Sequence, residues 1–426
     1  MNTVSSKQTQ IRSFQLGGPR AWWIWALSVA FVIYLFSVQT GYSIVNADVQ
    51  KSASLSVEQV ATVAAVYTWV FAICQFFGGA LLDRLGAHKV LPISVVLVTA
   101  GVFLFANAES YGTLLASQFV MAVGACTGFV GAGYIGGQWF GMSRFNFMFG
   151  LVQFCASLSS AFSVNALQLG LNAIPWRELF NMVGVAGIAL SILAFFFLKN
   201  PKPVESTGAG GVGTFVHSVL DALLQVIKIA HVWLSALICA ALFGSMLAAG
   251  VVWTPKLMEI RGASPATAAF SSSLLWLGLA AGCLVIPALS DKIERRKMPI
   301  VIGIAVQLAS AGALLYLPSV SIPFAMALNF LFGFANASHM LTFSSAADVV
   351  PPQLIGTSAA FVNGLAFIAG GIMIAAPGSR VVSAVGAGLT DHTLAVAEYA
   401  AQPIMFALVA AFTISLIMKE SHPARR

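Results

Sequence analysis

Charged residues are scarce in this chain, and those with a pattern that could do chemistry stand in two short loops. In the first, Gly79-Ala80-Leu81-Leu82-Asp83-Arg84-Leu85-Gly86-Ala87-His88-Lys89, a carboxylate at Asp83 is followed by the cations Arg84 and Lys89. The second, Ala288 to Lys297, lies about half the chain later and carries Asp291, Lys292, Glu294, Arg295, Arg296 and Lys297. A lone carboxylate beside cations in a tight turn suits docking onto a helix N-terminus or an ion pair. It does not suit general acid–base catalysis, which needs a second group converging on the same atom. The apolar stretches contain no paired carboxylates, His/Asp pair or metal cluster at depth, so an enzyme is not expected. No G-x-x-x-x-G-K-[ST] phosphate loop occurs, which argues against direct ATP drive.

A second set of residues is polar but uncharged and sits inside apolar stretches: Gln39, Tyr42, Tyr67, Thr127, Tyr134, Gln153, Asn329, Asn336 and Asn363. Gln39 and Tyr42 are three apart, Gln153 and Ser157 four apart, and Asn329 and Asn336 seven apart, so each set shares a helix face. Such faces either line a polar cavity for a solute or pair with neighbouring helices as packing contacts. Trp69, Phe129, Trp253 and Trp276 are candidate aromatic walls. His339 is the titratable group at depth and hence the candidate for carrying a proton. No Asp, Glu, Lys or Arg is central in any stretch, which points to a neutral, zwitterionic or monocarboxylate solute.

These residues must be held by elements that lipid can solvate. Hydrophobic residues make up 59% of the chain and charged ones 8%, far too few for a water-soluble surface. Twelve apolar stretches of spanning length are expected, grouped as an N-terminal tail (1–20), a six-helix bundle (21–198), a linker (199–230), a second six-helix bundle (231–418) and a tail (419–426). Lys51, Arg177, Lys256, Arg261 and Arg380 fall on one side of this arrangement, and the other sixteen of the 21 basic residues fall on the other. By the positive-inside rule both ends are cytoplasmic. Basic residues placed this way set topology, so the net charge of +7 does not imply nucleic acid as a partner. Cys74, Cys126, Cys155, Cys239 and Cys283 all lie in apolar stretches and read as small buried residues, not disulfides or metal ligands. In the linker, Asn200-Pro201-Lys202-Pro203 and Gly208 to Gly213 suggest flexibility. Val212, Phe215, Val216, Val219, Leu223 and Ile227 then recur at helical spacing, as in an amphipathic helix on the inner membrane face.

The first loop, G-x-x-x-D-R-x-G-x-x-K between the second and third stretches, resembles the signature loop of the major facilitator superfamily of secondary transporters. Trp139-Phe140-Gly141-Met142-Ser143-Arg144, Pro175-Trp176-Arg177-Glu178-Leu179-Phe180 and Pro351-Pro352-Gln353-Leu354-Ile355-Gly356-Thr357 are similar to further family motifs, in register. The resemblance implies an all-α membrane protein of twelve transmembrane helices in two pseudo-symmetric six-helix halves. It also implies alternating access, with Asp83 docking at the start of span eleven to hold the inner face closed. Arg84 and Lys89 are then expected near Asp348, with Asp291, Arg295 and Arg144 as the pseudo-symmetric set. Val120 stands where drug/proton antiporters have an arginine, and their Gly-Pro motif is missing between Gly150 and Gly170, which favours uptake over drug efflux. The expected partners are a small-molecule substrate, the lipid bilayer and, through His339, protons. The expected setting is a bacterial inner membrane, with the protein a monomer and no cofactor.

Overall fold

Twelve helices are long and apolar enough to cross a membrane in the computed structural model, which describes residues 17–201 and 212–425. Lys7, Arg12, Lys202, Pro203, most of the Gly208 to Gly213 patch and Arg426, used above for charge and linker, lie outside the described residues. In chain order the spans are α1 (Pro19–Ser52), α2 (Val57–Leu85), α3 (Ala87–Ala106), α4 (Tyr111–Phe140), α5 (Phe145–Ala173) and α6 (Trp176–Phe197). They continue with α7 (Ala230–Ile260), α8 (Pro265–Ile293), α9 (Lys297–Tyr316), α10 (Ile322–Ala347), α11 (Ile355–Gly386) and α12 (Leu394–Ile417). No strand occurs among the described residues. A helix satisfies its own backbone hydrogen bonds, which lipid cannot do, so apolar segments of this length take no other open form.

Local signals set the ends. Ser56 and Gln59 form a capping box at the start of α2, and Ser264 caps α8 with Pro265 in its first turn. α2 stops at Gly86, whose φ of 79° explains the glycine in the charged loop; Gly141, with φ of 92°, ends α4 in the same way. In the second loop the equivalent left-handed position is taken by Glu294 at φ 55°.

The two halves meet chiefly through α2 against α11 and α5 against α8. Both crossings depend on glycine. A β-carbon at Gly79 would run into the carbonyl oxygen of Gly356, and one at Gly150 would stand 2.7 Å from the carbonyl oxygen of Cys283. Pro287 has no N–H to offer that carbonyl four residues earlier, so α5 packs against a kinked, unpaired turn of α8. Both contacts lie toward the face that carries Asp83.

Within the linker, residues Val212–Ile227 form a helix. Val219, Ala222 and Val226 are buried, whereas Val216, Leu220 and Leu224 are exposed. Val216 therefore stands, with Leu220 and Leu224, on the side that the rest of the protein leaves uncovered.

Candidate functional site

Asp83, at the last turn of α2, is bound across the boundary between the halves. Its carboxylate accepts the backbone N–H of Gly356 (2.9 Å), the backbone N–H of Thr357 (2.8 Å) and the Thr357 hydroxyl (2.8 Å). Gly356 and Thr357 lie in the first turn of α11, where N–H groups have no helical acceptor, so the carboxylate fills an anion site that the helix itself creates.

The second clasp uses different residues from those the sequence suggested. Asn146, at the start of α5, donates to the Pro287 carbonyl (3.0 Å) and to Asp291 (3.2 Å) on α8, and accepts from Ser344 on α10 (2.8 Å). Arg296, buried, pairs with Asp291 (2.5 Å) and with Asp348 (3.3 Å), which holds both carboxylates on this face. Arg144 and Arg295, expected here, are exposed, and their neighbours Asn146 and Arg296 occupy the contacts. Nor do Arg84 and Lys89 reach Asp348: Arg84 donates to the Ser218 carbonyl of the linker helix (3.3 Å), and Lys89 is exposed. Arg295 and Arg296 stand in the turn between α8 and α9, and Arg144 in a 3-10 turn before α5, so the course of each turn decides which neighbour faces inward.

Toward the membrane interior from these clasps lies a narrow cavity of about 10 Å³, room for about one water. Both halves line it: Phe36 of α1, Phe129 of α4 and Gln153 of α5 from one side, Cys239, Phe243, His339, Phe343, Asn363 and Phe367 of α7, α10 and α11 from the other. Two of these helices are interrupted there. α4 breaks between Ala125 and Gly128, and its counterpart α10 passes through a 3-10 turn at Ala337–His339. Interrupted helices around a midplane site are the usual way a carrier exposes polar groups within the bilayer.

The polar chemistry of the cavity comes from three side chains. His339 Nδ1 lies 2.7 Å from the Asn336 carbonyl. A carbonyl only accepts, so Nδ1 donates here, and in the neutral ring Nε2 is then the acceptor. Phe243 stacks on the ring at 4.9 Å. Asn363 is buried and its Nδ2 has no partner among the described residues. Gln153 donates to Ser157 at 3.2 Å, which joins two residues expected on one face. Among the described residues, no Asp, Glu, Lys or Arg lines the cavity.

The other sequence candidates go elsewhere. Asn336 donates to the Leu242 carbonyl (2.6 Å) and to Gln307 (3.2 Å), tying α10 to α7 and α9 as packing glue. Asn329 faces a different and larger cavity, about 340 Å³, lined only by the second half and including Trp253. That cavity is the roomier, but a solute there would touch one half alone and could not be passed between them, so the central cavity is the candidate site. The Tyr42 hydroxyl donates to the Val60 carbonyl (2.9 Å), Thr127 shares a hydrogen bond with Ser94 (2.7 Å), and Tyr67 is buried against Phe71. Gln39 and Tyr134 are half-buried and do not line the cavity, and Trp69 is exposed. Phe36, Phe243, Phe343 and Phe367 were missed, because nothing local sets these apart among the 32 phenylalanines of the chain, nearly all of them in apolar stretches.

Two six-helix halves, clasped on one face and enclosing a cavity that both of them line, define a multi-pass membrane carrier. The sequence model of the Major Facilitator Superfamily matches residues 25–375, and the chain belongs to that superfamily of secondary transporters. It is 23% identical, over 67% of its length and 69% of the relative's, to a probable sulfoacetate transporter of Cupriavidus necator. It is also 20% identical to a D-galactonate transporter of Escherichia coli, over 78% of this chain and 82% of that one. A probable galactarate/D-glucarate transporter of Bacillus subtilis is 22% identical over 47% of this chain and 43% of its own.

Proposed function

We propose that this transporter takes up a small organic solute with at most one negative charge, and that the central cavity around Gln153, His339 and Asn363 is its binding site. The observation that carries this reading is the cavity lining, which draws on both halves and holds hydrogen-bonding groups but no charged one. A multiply charged anion would need a buried cation to repay its desolvation. The similar carriers named for galactonate and sulfoacetate favour organic acids as a solute class, of which only a monocarboxylate suits this lining, while a neutral or zwitterionic solute suits it as well. Uptake is favoured by the missing antiporter marks. We place both termini in the cytoplasm of a bacterial cell and the protein in its inner membrane, from the charge distribution over the loops, with a single chain as the working unit.

His339 is the residue on which proton coupling would have to rest. An imidazolium there would face phenylalanine rings and no carboxylate, so we read the residue as a neutral hydrogen-bonding group of the site. Coupling then falls to Asp48, which α1 includes, to a proton carried on the substrate or to exchange with a second solute. Flux of candidate solutes into proteoliposomes holding the purified chain, with and without a pH gradient, tests both points. Substrate-dependent uptake without chemical change is the expected result, and binding without flux would make the protein a receptor.

A further inference from the structure

Resting on the carrier reading above, we propose that the solute is a small uncharged aromatic or heteroaromatic compound with a hydrogen-bond donor and acceptor in its substituent, an aromatic primary amide being the simplest case. This departs from polyhydroxylated or sulfonated acids. Five phenylalanines, Phe36, Phe129, Phe243, Phe343 and Phe367, make up most of the cavity wall. Their rings already pack edge to face, Phe129 to Phe343 at 6.0 Å and Phe243 to Phe367 at 5.7 Å, and the His339 ring is stacked by Phe243. At about 10 Å³ the cavity does not hold a ring in this state, so binding requires these ring pairs to part, each contact being replaced by one of the same kind to a flat solute.

The polar groups match one small substituent and little more. Asn363 Nδ2 is a buried donor without a partner among the described residues, and in the neutral His339 ring Nε2 is the acceptor, because Nδ1 donates to the Asn336 carbonyl. A primary amide supplies the carbonyl for the first and the N–H for the second. A sugar acid would bring several hydroxyls and a carboxylate into a wall of phenylalanines, where most would lose their hydrogen bonds.

The test uses the purified full-length protein, benzamide and nicotinamide as probes, cyclohexanecarboxamide as the control without an aromatic ring, and galactonate and sulfoacetate as the competing class. Benzamide and nicotinamide are expected to raise the melting temperature by several degrees, and labelled nicotinamide to enter proteoliposomes saturably. Cyclohexanecarboxamide should bind at least tenfold more weakly. Asn363→Leu should lower nicotinamide uptake at least tenfold, and Phe343→Leu, which keeps bulk without a ring, should raise its half-saturation concentration several-fold. Equal binding of cyclohexanecarboxamide overturns the aromatic assignment. Uptake of galactonate or sulfoacetate without uptake of either amide also overturns it, while leaving the carrier reading intact. Failure of folded protein to move any of the five solutes counts against the carrier reading itself and takes the proposal with it.

Discussion

The three bonds that Asp83 accepts from the first turn of α11 join one half of the molecule to the other with a single carboxylate. An anion at a helix N-terminus contributes about 0.3–1 kcal/mol when exposed and up to ~2 when partly buried. Asp83→Asn keeps the shape and removes the charge, so it should weaken closure on this face without preventing insertion. A carrier balanced between two states would then populate the alternative at the expense of this one, and flux should fall about tenfold or more. Wild-type flux at equal expression would show that Asp83 does not gate. His339 yields a different expectation. Because its Nδ1 serves the Asn336 carbonyl and no carboxylate among the described residues lines its cavity, His339→Gln should change affinity yet leave the response of uptake to a pH gradient as it is in the unaltered protein. Loss of gradient-driven accumulation with facilitated equilibration intact would restore the histidine as the proton carrier.

At the scale of elements, the α2–α11 and α5–α8 crossings are held close by Gly79 and Gly150. Gly79→Val puts a branched side chain against the backbone of α11, and backbone cannot move aside as a flexible side chain can. The variant should be unable to close the Asp83 face. A cysteine introduced in α11 near Gly356 should then label several-fold faster with a membrane-impermeant thiol reagent applied from that face. Unchanged labelling would mean that the crossing is looser than its geometry. The start of α9 is a second element with a clear chemical hold. Glu420 accepts the N–H groups of Arg296 (2.8 Å) and Lys297 (3.2 Å), and of Ser421 and His422 (both 2.9 Å). Burial pushes this carboxyl up, but the four N–H bonds outweigh it and hold it below the usual carboxylate range. A lowered native value means that the stabilisation is complete above the unfolded value of about 4.3 and is lost as pH falls through the native one. Hydrogen exchange at the Arg296 and Lys297 amides, corrected for its intrinsic pH dependence, should therefore hold steady from about pH 7 to about 5 and accelerate below about 4. Glu420→Ala should cost about 1 kcal/mol of that protection at neutral pH, the worth of a helix cap.

Over the whole molecule, the two clasps lie on one face but use separate residues, Asp83 with α11 and Asn146 with α8 and α10. They bias the same conformational equilibrium from two sides of a pseudo-symmetric assembly. Weakening both should therefore add in free energy, as for sites that share no partner. Asn146→Ala alone should shift the carrier toward opening of the Asp83 face, and the product of the two single effects on thiol labelling should predict the Asp83→Asn/Asn146→Ala double variant. A double variant no more open than either single would show that one clasp is already idle in this state. The same architecture is the ground for proposing the small cavity, and not the large one, as the solute site. The 340 Å³ cavity of the second half moves with that half, whereas the central one changes its walls when the halves rock.

Twelve spans, the family and the Asp83 loop are readable from the chain because each depends on local properties. An unbroken apolar run of about 20 residues is enough to decide that a segment crosses the bilayer, and a glycine such as Gly86 is demanded by its own φ. Spacing likewise tells which residues share a helix face, as Gln153 and Ser157 do. What spacing leaves open is the neighbour that the face meets. Asn329 and Asn336 share a face by count, but one looks into a cavity of the second half and the other bonds Gln307, because side chains seven residues apart stand about 10 Å apart along the axis and meet different helices. Arg296 in place of Arg295, and Asn146 in place of Arg144, were decided by the course of the turns that join α8 to α9 and α4 to α5. The ring of phenylalanines was decided by which of many equally apolar positions face the boundary between the halves, a matter settled only when twelve helices pack.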